Sequence, residues 1–273
     1  MSEFAGKTVL VSGAGRGQGR AIALAFAARG ADIIIGDVGD PKVATIGYEL
    51  ASGSELQRAA EEAGRLGARV VAQTCDVRRQ DHIDALFKAG VDAFGGIDII
   101  VNNAGVLAGN QPAHTLDDEQ WDTMIAVNLT GVWRVSRAAV PHLIERGGGR
   151  IINIASVAGL IGTPNFAHYC AAKHGVVGLT KAMAAELAAR NITVNAICPG
   201  GVDTKMVAHS AAELAEQMGS TVEAAYEAIL TPHLIKRLIT SDEIAASALY
   251  LAGEAARSIT GSCLSIDCGW STT

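Results

Sequence analysis

Lys7-Thr8-Val9-Leu10-Val11-Ser12-Gly13-Ala14-Gly15-Arg16-Gly17-Gln18-Gly19 passes from a β-branched run straight into a glycine-rich turn, and Arg20-Ala21-Ile22-Ala23-Leu24-Ala25-Phe26 follows with helical spacing. A strand delivered by glycines into a helix is the start of a nucleotide-type α/β unit. Glycines let the backbone approach a pyrophosphate, and the first N–H groups of the helix have no partner of their own. The spacing Gly13-x-x-x-Gly17-x-Gly19 is neither the common G-x-G-x-x-G fingerprint nor a Walker loop, since no Lys-Ser or Lys-Thr follows. A tight turn with no ligand is the competing reading, so the rest of the chain has to decide.

Outward from this turn, short β-branched runs alternate with longer amphipathic stretches. Strands are expected at 7–12, 32–36, 69–74, 97–102, 150–155, 193–197 and 263–266, and helices at 17–29, 54–66, 81–94, 118–145, 169–189 and 241–252. Strand–helix–strand repetition makes the pairing parallel. Runs such as Ile33-Ile34-Ile35 and Ile99-Ile100-Val101 read as buried on both faces. The predicted fold is a single Rossmann-type doubly wound parallel sheet of about seven strands with helices on both faces, one domain over 1–273. Two segments break the rhythm. Residues 38–53 are a long connection where about 2–6 residues usually suffice. Residues 201–237 hold two helical patterns and no strand, and are expected to project from the strands' C-terminal edge, where ligands sit.

The second strand closes on Asp37, 24 residues after Gly13. A carboxylate there accepts the two ribose hydroxyls of an adenosine and repels a 2′-phosphate, which favours NAD over NADP. A solvated strand-end acid is the alternative. Asp76, after the third strand, is placed either to accept from an adenine amino group or simply to face water.

The chain is 49% hydrophobic but 4% aromatic, so its core is aliphatic; a net charge of −6 without a basic cluster argues against nucleic acid. No apolar run reaches the ~20 residues that span a bilayer, and the N-terminus lacks a signal pattern, so a cytoplasmic protein is expected. Cys75, Cys170, Cys198, Cys263 and Cys268 form no C-x-x-C pair, and the seven histidines show no ligand spacing. The thiols are expected to be small hydrophobes, and no metal site is expected.

Gly13-x-x-x-Gly17-x-Gly19, Asn102-Asn103-Ala104-Gly105, Asn128, Ser156, Tyr169-x-x-x-Lys173 and Pro199-Gly200-Gly201-Val202-Asp203-Thr204 occur in this order. In order and spacing they resemble the short-chain dehydrogenase/reductase family, over roughly residues 7 to 270. The resemblance implies NAD-dependent interconversion of a secondary alcohol and its ketone. Tyr169 and Lys173, at i and i+4, share a helix face. The ammonium, helped by the positive nicotinamide, would draw the phenol, ordinarily near pKa ~10, toward working pH, so that Tyr169 exchanges the alcohol proton. Ser156 would hold the substrate oxygen, Lys173 would also clamp the nicotinamide ribose, and Asn128 would hold a water linking Lys173 to solvent. A bond from Asn128 to a local helix carbonyl is its plainer reading. By resemblance the nucleotide set comprises Gly13, Arg16, Gly17, Gln18, Gly19, Asp37, Val38, Asp76, Val77, Asn103, Ala104, Gly105, Tyr169, Lys173, Pro199, Gly200, Val202 and Thr204. The backbone of Val202 and the hydroxyl of Thr204 would hold the carboxamide.

Within the family, Ile46-Gly47-Tyr48-Glu49-Leu50-Ala51-Ser52-Gly53-Ser54-Glu55-Leu56 looks like the insertion of carveol-dehydrogenase-like members, a subgroup associated with the redox cofactor mycofactocin. Glu49 stands where those members often carry Pro. The implied role is a cover over the adenosine that slows NAD exchange, with an external redox partner; a plain surface loop is the alternative. Residues 201–237 would form a substrate lid lined by Met206, Met218, Tyr226, Leu230 and Leu234, with Phe166 and His168 facing the same cavity. A neutral apolar or cyclic alcohol is expected, and family habit implies a homotetramer. The other readings are a 3-oxoacyl thioester reductase, disfavoured by Asp37, and a non-catalytic NAD-binding sensor, disfavoured by the intact Ser156, Tyr169 and Lys173.

Overall fold

The computed structural model describes residues 2–40, 42–43 and 45–272. Pro41 and Ala44 of the expected 38–53 insertion, with Met1 and Thr273, lie outside the described residues. Seven strands form one parallel sheet: β1 Thr8–Ser12, β2 Asp32–Asp37, β3 Val70–Thr74, β4 Ile99–Asn102, β5 Gly149–Ile154, β6 Ile192–Pro199 and β7 Cys263–Ile266, in the order β3-β2-β1-β4-β5-β6-β7. Side chains alternate across each strand. Val9, Val11, Ile33 and Ile35 therefore pack on one face with α1 (Gly17–Ala27), α2 (Gly53–Arg65) and α9 (Ser241–Ala252). Leu10, Ile34 and Ile100 pack on the other with α3 (Gln80–Phe94), α5 (Val132–Glu145) and α6 (Ala167–Leu187). Both faces are covered, which is why the strands read as unbroken apolar runs.

Local chemistry sets several boundaries. Ser52 and Glu55 exchange the two bonds of a capping box that starts α2, as do Thr240 and Glu243 for α9. Gly95, at φ +78°, ends α3. The expected single helix over 118–145 is instead α4 (Asp118–Ile125), a π-helical segment Ala126–Gly131 and α5. Nothing in Ala126-Val127-Asn128-Leu129-Thr130-Gly131 forbids α-helix. The wider turn coincides with the anchoring of Asn128 to the β4–α4 loop, described below. The 201–237 region carries α7 (Lys205–Met218) and α8 (Val222–Leu230), as its two patterns required.

A buried polar ladder crosses the sheet centre. Asn102 Nδ2 donates to Asn153 Oδ1 and to Ser136 Oγ, both at 2.8 Å; Asn153 Nδ2 donates to Thr180 Oγ1 at 2.9 Å. Thr180 Oγ1 then donates to the Val176 carbonyl. Burial pushes the Cys75 and Cys198 thiols up to about 12, in keeping with small hydrophobes. Among the described residues no helix is long and apolar enough to cross a membrane.

Candidate active site

β1 and β4 lie side by side in the sheet but lead to helices on opposite faces, which opens a crevice at their C-terminal ends. The glycine turn fits the end of β4 so tightly that a Cβ on Gly13 would stand 2.7 Å from Ala104 Cα, and one on Gly19 2.2 Å from the Gly13 carbonyl oxygen. Asn103 Nδ2 donates to the carbonyls of Ser12 and Gly13 at 3.0 and 2.8 Å, while Ser12 Oγ accepts from the Asn103 and Ala104 N–H groups. Turn and strand end are one unit. Among the described residues no side-chain bond from its N-cap residue Arg16 caps α1, and uncapped N–H groups at a helix start can receive an anion. Gly13, Arg16, Gly17, Asp37, Val38 and Val77 are among the residues lining a cavity of about 380 Å³ beside it.

Asp37 is fixed at the rim of this cavity. Its Oδ2 accepts from the Gly15 N–H and its Oδ1 from the Val38 N–H, each at 2.8 Å. Burial raises its pKa, opposed by these two bonds and by the Arg16 charge. Each carboxylate oxygen keeps a lone pair for a further donor. Asp76 also lines the cavity, but both its oxygens accept from Arg78, the nearest at 2.7 Å. Burial opposes its ionisation and the Arg78 bonds outweigh it, leaving the pKa lowered. A ligand amino group would therefore share Asp76 with a guanidinium.

A second cavity, of about 350 Å³, continues from the first past Gln18, Asn103, Gly105 and Thr204. Among its lining residues Ser156, two residues past the end of β5, caps the short turn Val157–Gly159, its Oγ accepting from the Ala158 N–H. That turn lies against α6: a Cβ on Gly159 would stand 2.7 Å from the Lys173 carbonyl. The contact brings Ser156 to the helix that carries Tyr169 and Lys173. Burial pushes the Tyr169 phenol up to about 12, opposed by its side-chain hydrogen bond with Ser156. Burial likewise pushes the Lys173 ammonium down to about 8. Lys173 Nζ donates to the Ile154 carbonyl at 2.8 Å and lies 5.6 Å from the centroid of the Tyr169 ring. In the chain by itself burial dominates the phenol; the expected lowering involves a bound positive nicotinamide as well as the ammonium. Asn128, in the π segment, has its Oδ1 accepting from the Val106 N–H and its Nδ2 donating to the Val106 and Met124 carbonyls. It pins the β4–α4 loop to the helix, beyond the single local bond of its plainer reading.

The family model for short chain dehydrogenases matches residues 7–215, the span that holds turn, Ser156, Tyr169 and Lys173. The chain belongs to the short chain dehydrogenase family. It is 39% identical to a D-beta-hydroxybutyrate dehydrogenase of Rhizobium meliloti over 97% of this chain and 98% of the relative. It is 36% identical to a (-)-trans-carveol dehydrogenase of Rhodococcus erythropolis over 98% and 99%. The crystal structure of a carveol dehydrogenase from Mycobacterium avium in complex with NAD superimposes with a TM-score of 0.96, at 35% identity and full coverage of both chains.

In this short chain dehydrogenase most of the sequence-derived positions line one of the two cavities; Gly19, packed on the Gly13 carbonyl, and the buried Asn128 are not among the lining residues. Pro199, Gly200, Val202 and Thr204 line the second, with Tyr169 and Lys173. Thr204 Oγ1 donates to the Val202 carbonyl at 3.2 Å and accepts from the Val207 N–H, capping α7. Of the expected lid lining, Met206 and Phe166 face the cavity, whereas Met218 and Leu234 are exposed and His168 is buried against the Ala108 carbonyl. Leu107, Leu214 and Ile229 supply the apolar wall instead.

Sequence reasoning missed a polar network that joins the insertion to α7. The Tyr48 ring lies 5.1 Å from that of His209, and Tyr48 Oη accepts from the Leu107 N–H at 3.3 Å. His209 Nε2 is 3.1 Å from Glu213 Oε1, and Asn110 Nδ2 donates to Glu213 Oε2 at 2.7 Å. Gln217 Nε2 donates to the Asn110 carbonyl. Next to Tyr48 in the insertion, the Glu49 carbonyl accepts from Arg16. The i, i+4 pair His209 and Glu213 was the only local trace of this network.

Proposed function

We propose that the chain interconverts a neutral secondary alcohol and its ketone with NAD as the redox partner, through Ser156, Tyr169 and Lys173. The observation that carries this is the hydrogen bond between Tyr169 and Ser156, both lining the second cavity, which opens into the first past Gln18, Asn103 and Thr204. The cradle fits a dinucleotide: the glycine turn opens onto the first cavity at Gly13 and Gly17, and the Asp37 carboxylate lines the same cavity. On this reading the turn and the N-terminus of α1 hold the pyrophosphate with Arg16 and Gln18, and Asp37 accepts from the ribose hydroxyls and excludes a 2′-phosphate. Val38, Asp76 and Val77 border the adenine. Asn103, Ala104, Gly105 and Lys173 position the sugars, and Pro199, Gly200, Val202 and Thr204 fix the carboxamide. The bound nicotinamide supplies the hydride acceptor. Ser156 orients the substrate oxygen, Tyr169 Oη takes its proton, and the Lys173 ammonium stabilises the phenolate; Asn128 positions the loop beside them. Among the described residues Lys173 is the one charged side chain lining the second cavity, which supports a neutral substrate.

The insertion at 38–53 covers the adenosine and slows nucleotide exchange, with reoxidation by a mycofactocin-type partner; the Tyr48 and Arg16 contacts support this. The residues 201–237 serve as substrate lid. We read the protein as a cytoplasmic homotetramer: its free cysteines suit a reducing compartment, and Trp133 on α5 and Tyr250 on α9 expose apolar surface. The test is NAD⁺ reduction at 340 nm on a panel of secondary alcohols. Tyr169→Phe should lower turnover by about 10²–10⁴-fold while keeping NAD binding; a variant as active as the wild type would remove Tyr169 from the proton path.

A further inference from the structure

A histidine outside the proposed proton path grips the turn that follows β6. His233, just past α8, is fully buried. Its Nε2 stands 3.4 Å from the Gly201 N and its Nδ1 2.9 Å from the Arg237 carbonyl oxygen. An N–H can only donate and a carbonyl can only accept, so the two contacts fix the ring. The proton sits on Nδ1, Nε2 presents its lone pair to Gly201, and the imidazole is neutral. The support of the ring is itself tied down. The His233 N–H donates to the Leu230 carbonyl at the end of α8, and the Arg237 guanidinium pairs with Glu243 in the first turn of α9. The Trp270 ring stands against the imidazole at a centroid distance of 5.4 Å.

The turn needs such a grip because Gly200 and Gly201 come in succession, and paired glycines give a backbone its widest choice of conformations. The Gly200 N–H donates to the Ile266 carbonyl, and the Gly201 carbonyl accepts from the Ile239 N–H. His233 holds the remaining polar group of Gly201, its N–H. Turn and ring also touch: a Cβ on Gly201 would stand 3.3 Å from His233 Cε1. Val202 comes next, and both Gly201 and Val202 line the second cavity. Resting on the reading that Val202 and Thr204 hold the nicotinamide carboxamide, we infer that His233 is a positioning residue for the nicotinamide half of the cofactor. It relays the placement of α8 and α9 to the Gly200–Gly201 peptide and so sets where the Val202 backbone meets the carboxamide. The adenosine half, seated on the first turn and Asp37, does not depend on it.

The test compares NADH with ADP-ribose, which keeps the adenosine, the pyrophosphate and the second ribose but lacks the nicotinamide. NADH affinity is read from nucleotide fluorescence and ADP-ribose affinity by displacement of NADH. His233→Gln puts an amide oxygen where Nε2 accepts from Gly201. His233→Asn puts an amide nitrogen where Nδ1 donates to Arg237 and leaves Gly201 without its acceptor. His233→Phe fills the place of the ring and offers no acceptor. The wild type should bind NADH more tightly than ADP-ribose. His233→Asn and His233→Phe should lose about 2–10-fold of that preference, the contribution of one neutral hydrogen bond, and His233→Gln should keep most of it. A merely structural histidine would weaken both ligands alike and would not separate Gln from Asn. A ratio unchanged in His233→Asn and His233→Phe, or one lost equally in His233→Gln, would overturn the inference and leave the carboxamide reading standing. Equal affinity of the wild type for the two ligands would refute the carboxamide reading itself, and the inference with it.

Discussion

Lys173→Met keeps an unbranched stem and removes the charge beside Tyr169. Nζ lies 5.6 Å from the Tyr169 ring centroid. At an effective dielectric constant near ~20, a unit positive charge at that separation favours the phenolate by about 3 kcal/mol, or about 2 pKa units. If turnover follows the phenolate, the variant should lose about 100-fold in kcat near neutral pH. The size of the loss should itself depend on pH. Burial lowers the Lys173 pKa to about 8, so the wild type carries the charge below that value and loses it above. The gap between the two proteins should close as pH rises past about 8, because the wild type then gives up the same charge. The assay is alcohol oxidation from about pH 6 to about pH 10 with NAD⁺ saturating, so that a weaker hold on the nucleotide does not enter. A constant ratio across the range would show that Lys173 acts through position and not charge. A ratio near one at neutral pH would remove it from the proton path.

Asp37→Ala should narrow the preference for NAD over NADP, in kcat/KM, by at least about 100-fold, since a unit charge near ~4 Å is worth about 4 kcal/mol at that dielectric; an unchanged ratio would refute the ribose-hydroxyl role. Gly19→Ala forces a Cβ to 2.2 Å from the Gly13 carbonyl and should cost about 1–3 kcal/mol or more with loss of nucleotide binding. Gly178→Ala, exposed in α6 with nothing within 4 Å, should raise stability by up to about 1 kcal/mol. Thermal melts of the two variants check both, and equal melting temperatures would contradict the close-packed turn. Tyr48→Phe deletes the hydroxyl that receives the Leu107 N–H and should speed NADH release about 2–10-fold; an unaltered release rate would make the insertion a bystander.

The fold was legible because its signals are local. Each strand carries its own β-branched run, and the glycine turn declares itself between β1 and α1. Asp37 could be picked out because the end of β2 has a fixed relation to that turn. What could not be read depends on how side chains meet in space. Asp76 looked available until Arg78 folded back on it, and the break at Ala126–Gly131 follows no helix breaker. Its Asn128 is anchored by Val106, a residue on another element. The Tyr169–Lys173 spacing says nothing of burial, which in the chain by itself raises one group and lowers the other. The Glu213–Asn110 bond joins residues 103 apart in the chain, and sequence offers no route to it.

The amide ladder of Asn102, Asn153 and Thr180 bears on how the molecule assembles. The apolar strands Ile33-Ile34-Ile35, Ile99-Ile100-Val101 and Ile151-Ile152 are nearly interchangeable as hydrophobic surfaces, so greasy contact alone grades their neighbours poorly. Asn102 faces Asn153 only in the observed register, and a slip of one residue would turn one amide to the opposite side of the sheet. Each stranded amide costs about 1–3 kcal/mol. The ladder thus works as a proofreader of strand neighbours, penalising wrong pairings that the aliphatic core would tolerate.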